Sequence, residues 1–219
     1  MPVNAVAAWQ VAPGRRAEMM TAMSRAKAIH ERLGATAQAV AVTYAGVNSG
    51  RISYRLWFPD MAAFAKYDDA LGGDADWQKF AQEVLLAANP VATLVANSIG
   101  VDFPGETAPV PVVVPGSVLQ LSTFQPQPGR LADIAANIAA WRAIVARHGL
   151  SSRTVQSTAA GPSAGIISVG ITHASMTALV KANEALQADA AYQALIQRIS
   201  GAGTPSVQIG QALGRFLPI

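Results

Sequence analysis

PGRRAEMM, residues 13–20, returns as PGRLADIA at residues 128–135, and the reading of this pair decides the fold. The second copy lies about 115 residues after the first, and the same shift carries on through most of a domain's length. Ala28-Ile29 fall on Ala143-Ile144, Arg32 and Gly34 on Arg147 and Gly149, and Gly50, Ile52 and Ser53 on Gly165, Ile167 and Ser168. Later, Met61, Lys66, Ala70-Leu71, Asp74-Ala75 and Pro90 meet Met176, Lys181, Ala185-Leu186, Asp189-Ala190 and Pro205. Identity runs at roughly three in ten positions with no gap, and matched Gly, Pro and Met residues are not what a shared alanine bias produces.

Between the copies runs VDFPGETAPVPVVVPGS, residues 101–117. Pro104, Pro109, Pro111 and Pro115 remove backbone donors that a central strand or helix needs, so an extended, semi-rigid connector is expected. The chain divides accordingly into a first repeat at 1–103, a linker at 104–117 and a second repeat at 118–219.

Each repeat predicts the same order of elements. Asn4 to Val11 and Val118 to Gln125 read as strands closed by the Pro-Gly turn, after which helices open near Arg15 and Arg130. Glu18 and Asp133 fall in the first turn, where a carboxylate complements the positive helix end. Gly34 and Gly149 are C-terminal stops. Gln38 to Tyr44 and Arg51 to Phe58 alternate around a loop with Gly46, Asn48 and Gly50, which predicts a hairpin. A second helical region starts near Met61, with an interruption at Gly72-Gly73 expected in the first repeat only. Last strands follow Pro90 and Pro205, at Ala92 to Val101 and Val207 to Phe216. The order β-α-β-β-α-β is the split βαβ or ferredoxin-like arrangement, giving an α+β protein of two tandem repeats.

A sheet of this kind is covered by helices on one face only, and the other face must be paired, liganded or wet. On the third strand, Ile52, Tyr54, Leu56 and Phe58 form an apolar side suited to the helix layer. Arg51, Ser53, Arg55 and Trp57 form a mixed side suited to the wall of a cavity. Two such sheets packed face to face would shelter one another, as a pseudo-dimer within one chain that leaves further oligomerisation open.

FPDMAAFAKYDDALGGDADWQKF, residues 58–80, and ITHASMTALVKANEALQADAAYQAL, residues 171–195, together with the strand-PG-helix opening, resemble the dimeric α/β-barrel superfamily and its NIPSNAP-like branch. The resemblance covers both repeats. It implies a ferredoxin-like fold with a barrel cavity and no firm reaction. Heme-degrading members of the superfamily resemble one another in an Asn of the first strand and a Trp followed ten residues on by His. The comparable positions here are Tyr67 and Trp77, and Ala182 and Tyr192, with Asn4 near the strand edge, so no histidine stands ready for heme iron. No cofactor is expected.

Composition narrows the function classes. At 219 residues and 51% hydrophobic the chain can build a large core, and its 16 Lys/Arg against 13 Asp/Glu are too diffuse for a nucleic-acid footprint. It has no cysteine, hence no disulfide and no thiolate chemistry, and a cytoplasmic location is expected. The most apolar window, from Val84, is broken by Asn89, Pro90 and Asn97, so a soluble protein without a membrane partner is expected. The HxH, HxxxH and HxxE spacings are absent, which removes the simplest metal sites.

The residues expected to line a ligand site are Arg55 and Trp57, where a guanidinium beside an indole can hold a planar acid, with Arg51 one step along the same face. Gln120 and Ser122 give the second repeat's first strand a polar side, and His173 is the one histidine in strand context. Gly170 and Thr172 stand where the first repeat has Arg55 and Trp57, so one lopsided site is expected. Two functions fit: a small-molecule site for an aromatic or acidic ligand, whether binding or catalytic, and a non-catalytic interaction module with a filled barrel. A cofactor-free monooxygenase of the antibiotic-biosynthesis type is the third reading.

Overall fold

The computed structural model describes residues 1–46, 50–107, 110, 113–160, 165–201 and 203–219. The first half runs β1 (Val3–Val11), α1 (Arg16–Arg32), β2 (Thr36–Gly46), β3 (Ile52–Phe58), α2 (Met61–Gly73), α3 (Ala75–Phe80), a π-helical turn (Ala81–Leu85) and β4 (Ala92–Asp102). The second half runs β5 (Val118–Pro126), α4 (Leu131–Arg147), β6 (Ser152–Ala160), β7 (Ile167–His173), α5 (Met176–Ala188), α6 (Ala190–Ser200) and β8 (Ser206–Phe216). The expected order of elements is therefore present in each half. Asn48, Pro109, Pro111 and Gly161 lie outside the described residues.

Local chemistry sets the element ends. Asp60 and Ser175 cap α2 and α5 by accepting from the amides of Ala63 and Ala178. Asp74 and Asp189 cap α3 and α6 in the same way. These two aspartates correct the expectation of a helix interrupted in the first repeat only. The break falls at Asp74 and Asp189 in both halves, while Gly72 and Gly73 lie inside α2, because an extended capping residue restarts a helix more effectively than a glycine ends one.

All eight strands belong to one antiparallel sheet closed into a barrel, in the order β1-β3-β2-β8-β5-β7-β6-β4. The two four-stranded groups are joined edge to edge, β2 to β8 and β4 to β6, and not merely stacked. Pairing repeats at the shift read from the sequence: Val3 faces Phe58 as Val118 faces His173. The last strands depart from it. Val3 pairs with Val101 but Val118 with Arg215, so the shift shortens by one residue before β8.

Helices cover the outside of the barrel. Met19, Met23, Ala26 and Ile29 of α1 share one apolar cluster with Ile52 and Tyr54 of β3, and Phe58 packs with Tyr67 of α2. In the second half Ile144 and Val145 of α4 cluster with Ile171 of β7, Leu186 and Leu195. Phe103, 1% exposed, is held with Ile134, Ile138 and Ile167, which fixes where the connector leaves β4. Glu106 then accepts from Arg142 of α4 at 2.7 Å and from the amide of Thr154 at 2.8 Å.

The two joining seams share a steric requirement. A Cβ on Gly100 of β4 would lie 2.8 Å from Val155 Cγ1 and 2.9 Å from the Gln156 carbonyl oxygen. A Cβ on Gly214 of β8 would lie 2.7 Å from Val40 Cγ1 and 2.8 Å from the Ala41 carbonyl oxygen. Backbone oxygens cannot step aside without breaking the ladder, so Gly100→Ala and Gly214→Ala should each destabilise the fold by about 1–3 kcal/mol. Gly72→Ala, with nothing within 4 Å of the new methyl, should be stabilising by roughly 0.5–1 kcal/mol. Urea midpoints of the three variants check the contrast.

Candidate functional site

Strand alternation assigns the faces of β3. Ile52, Tyr54 and Phe58 lie in the helix-facing clusters, so Ser53, Arg55 and Trp57 point into the barrel. Across β1, Trp57 faces Asn4, Arg55 faces Val6 and Ser53 faces Ala8. Across β2, Arg55 faces Gln38 and Ser53 faces Val40. Continuing round the barrel from β3, Val40 of β2, Phe216 of β8 and Leu119 of β5 form an apolar cluster with Leu121 and Val113, which places Leu119 and Leu121 of β5 inside as well.

The interior is graded. Near the starts of β1, β2 and β6 it is filled: Asn4, Gln38, Trp57, Asp102 and Arg153 are all buried. Arg153 donates from Nε to Asp102 Oδ1 at 3.0 Å and from Nη2 to Oδ2, and its guanidinium carbon lies 4.7 Å from the centre of the Trp57 ring. Burial pushes the Asp102 carboxyl up, against the lowering by Arg153. One level further along, Val6, Ser53, Arg55, Ser98, Leu121 and Gly170 are only half-buried although they line the inside of a closed sheet. Ser53 and Ser98 are small, and the half-burial of their level marks room that the larger side chains leave.

Into this room projects Arg55. Its Nε is fully enclosed and has no hydrogen-bond partner, and the same holds for Trp57 Nε1 two residues along the same face. Arg55 also makes no ion pair. Every acid of the chain is accounted for: Asp60, Asp68, Asp69 and Glu184 are exposed, and the others pair with other cations. Desolvation lowers the Arg55 guanidinium to about 10, so it stays charged at neutral pH.

The remaining expected residues lie elsewhere. Arg51 precedes β3 on the same face, half-buried at the rim. Gln120, Ser122 and His173 do not share the space with Arg55. Gln120 pairs with Ile171 and Ser122 with Val169, so they look outward under the helices, and His173 Nε2 approaches Gln120 Oε1 at 3.3 Å in that layer. The polar side of β5 is thus turned to the helix layer, and its apolar side, Leu119 and Leu121, faces the interior. Asn4, Gln38, Asp102 and Arg153 belong to the interior and were not singled out by the sequence. Their signal was the placement of Gln38 and Arg153 at matching positions of the two repeats.

A second polar group sits in the helix layer of the first half. His30, in the last turn of α1, is 4% exposed and ringed by Tyr54, Tyr67 and Trp77, with ring centres 5.0–5.8 Å away. The Tyr67 hydroxyl and His30 Nδ1 share a hydrogen bond of 2.5 Å. Burial lowers the His30 imidazole to about 4 and raises both tyrosines. Among the described residues no three His, Asp or Glu side chains gather as a metal site, and no helix is long and apolar enough to cross a membrane.

With this geometry in view, comparison with solved structures gives the fold. A "putative monooxygenase" of Fusobacterium nucleatum subsp. nucleatum superposes with a TM-score of 0.64 at 8% identity, covering 99% of this chain and 93% of that one. Another from Lactobacillus acidophilus gives 0.59 at 9%, covering 99% and 95%. A mutant chlorite dismutase from Candidatus Nitrospira defluvii, in complex with cyanide, gives 0.53 at 9%, covering 99% and 91%. The chain shares the dimeric α/β-barrel, ferredoxin-like fold of these proteins. At such identities the likeness extends to the fold alone. No family model matches the chain and no curated relative matches it.

Two stability measurements follow from this chemistry. His30 is protonated at a lower pH folded than unfolded, so its contribution is complete above about pH 6.5 and is lost as pH falls toward 4, by about 3 kcal/mol at most. His30→Phe should flatten that part of the pH profile of the urea midpoint, whatever its absolute stability. Asp102→Asn leaves Arg153 enclosed without its counter-charge and should cost about 3–5 kcal/mol, measured at neutral pH.

Proposed function

We propose that the chain is two fused ferredoxin-like halves, joined through the linker at 104–117, whose common barrel binds a small molecule bearing an acidic group, with Arg55 as its anchor. The observation that carries this reading is the half-buried Arg55 side chain, whose Nε is enclosed and unpartnered and which has no acid beside it. A buried charge without a counter-charge costs stability, and an acceptor from solvent or from a ligand must complete it. The half-buried walls around it supply the room, which favours a ligand site over a filled, purely structural barrel. Trp57 and the enclosed Nε1 it carries form the floor of the site, held by the Arg153–Asp102 pair. Leu121 and Val6, both half-buried, offer an apolar wall for the body of the ligand.

The names of the structural neighbours bring oxygenase chemistry into consideration for this fold. The interior described above supplies recognition of an acid, and no proton-transfer base stands beside Arg55: the three histidines lie outside the barrel or at helix ends. The NIPSNAP-like resemblance rests on residues 58–80 and 171–195 and assigns no reaction. Ligand binding is accordingly the function supported best.

Arg55→Met keeps the length of the side chain and removes the charge. In the absence of ligand it should raise Tm by about 2–6 °C, because a charge left without a partner is deleted. Thermal-shift and calorimetric screening of aromatic and aliphatic acids should find ligands of the wild type whose affinity falls at least tenfold in Arg55→Met. Acids that stabilise both proteins equally would remove Arg55 from the site.

A further inference from the structure

The charge of the interior can be counted, because none of the residues outside the described set is an Asp, Glu, Lys, Arg or His. Three charged side chains belong to the lined space: Arg55, Arg153 and Asp102. The last two neutralise one another through two hydrogen bonds, and Arg153 lies against the Trp57 ring. One positive charge is left over. Arg51 lies four residues before Arg55, about 13 Å along an extended strand, half-buried at the rim and engaged in an interaction of its own.

From this balance, and resting on the anchoring role of Arg55 proposed above, we infer that the ligand class is the monocarboxylates with an apolar body, and that dianions are rejected. A single carboxylate on Arg55 makes the interior neutral. A second carboxylate, or a phosphate in its doubly charged form, brings in a charge with no counter-charge within reach. The only other cation of the lined space, Arg153, is already saturated by Asp102 and shielded by the indole. Placing an unpaired anion in such a space costs far more than a missing hydrogen bond. A neutral amide of the same shape fails for the complementary reason, since it leaves Arg55 uncompensated.

The body of the ligand is set by the walls. Leu121 and Val6 flank the Arg55 level, and Val40 of the neighbouring strand joins Leu119 and Phe216 in an apolar cluster beyond it. In the second half the position of Arg55 is taken by Gly170, where an added Cβ would touch the Leu119 and Leu121 methyls at 3.4 and 3.7 Å. Leucine methyls border that place, so this wall presents an apolar surface and no second cation.

The test uses the full chain at pH 8.5, where inorganic phosphate is the dianion and Arg55 is still charged, with four probes of known charge: benzoate, benzamide, terephthalate and inorganic phosphate. Affinity is read by calorimetry and thermal shift for the wild type, Arg55→Met and Arg55→Lys, each checked for native circular dichroism. Benzoate is expected to bind the wild type at least tenfold more tightly than benzamide, terephthalate or phosphate. Arg55→Met should lose that preference and Arg55→Lys should keep part of it. Terephthalate or phosphate binding as tightly as benzoate, and still dependent on Arg55, overturns the single-charge inference while leaving Arg55 as the anchor. Benzoate binding that is indifferent to Arg55→Met, or no acid binding at all, overturns the anchoring role itself.

Discussion

Closure of the sheet is the constraint on which the rest depends. A four-stranded antiparallel sheet with helices on one face has two free edges and one bare face, and each is a liability in water. Here the two seams β2–β8 and β4–β6 remove the edges, and closing them turns both bare faces into one interior. The seams demand close backbone approach, which is why Gly100 and Gly214 sit opposite Val155 and Val40. The interior chemistry is a consequence: residues that would be solvated on an open sheet become a lining.

That lining is divided unequally between the halves. Where the first half places Asn4, Val6, Arg55, Trp57 and Asp102, corresponding places in the second hold Leu119, Leu121, Gly170, Thr172 and Phe216. The polar side therefore faces an apolar one across the barrel. The buried Arg153–Asp102 pair is a poor stabiliser in its own right, because desolvation of both groups offsets most of their attraction. Its stacking on Trp57 gives it a positional role, fixing an indole whose other neighbours are a strand and the open room beside Arg55.

Much of this was legible in the sequence, and the limits are physical. The repeat, the Pro-Gly turns and the alternation of β3 specify element order and identify the face carrying Arg55 and Trp57, because period-two alternation leaves only two choices and the apolar set decides between them. The same reasoning fails on β5. Gln120 and Ser122 look like a cavity wall by polarity, yet the side chains opposite them, Leu119 and Leu121, are needed to fill the barrel against Val40 and Phe216. Polarity along one strand cannot reveal what faces it across a closed sheet. Asp102 escaped notice because it sits where β4 passes into the connector, and Arg153 because its partner is 51 residues away. The one-residue change of shift before β8 was hidden because few identities lie in the last strands.

The histidines show how the same layer logic separates structure from chemistry. His30 is enclosed among Tyr54, Tyr67 and Trp77, its Nδ1 occupied by Tyr67, and its imidazole is kept neutral by burial. His148 is tied to Asp189, the carboxylate that caps α6, and His173 meets Gln120. Each has a partner in the helix layer or at a helix end, and none reaches the barrel interior. Among the described residues the histidines thus sit where packing and capping use them, while the interior level of Arg55 carries an enclosed, unpartnered Nε with no acid beside it, so the closed sheet itself keeps the polar chemistry of the two layers apart.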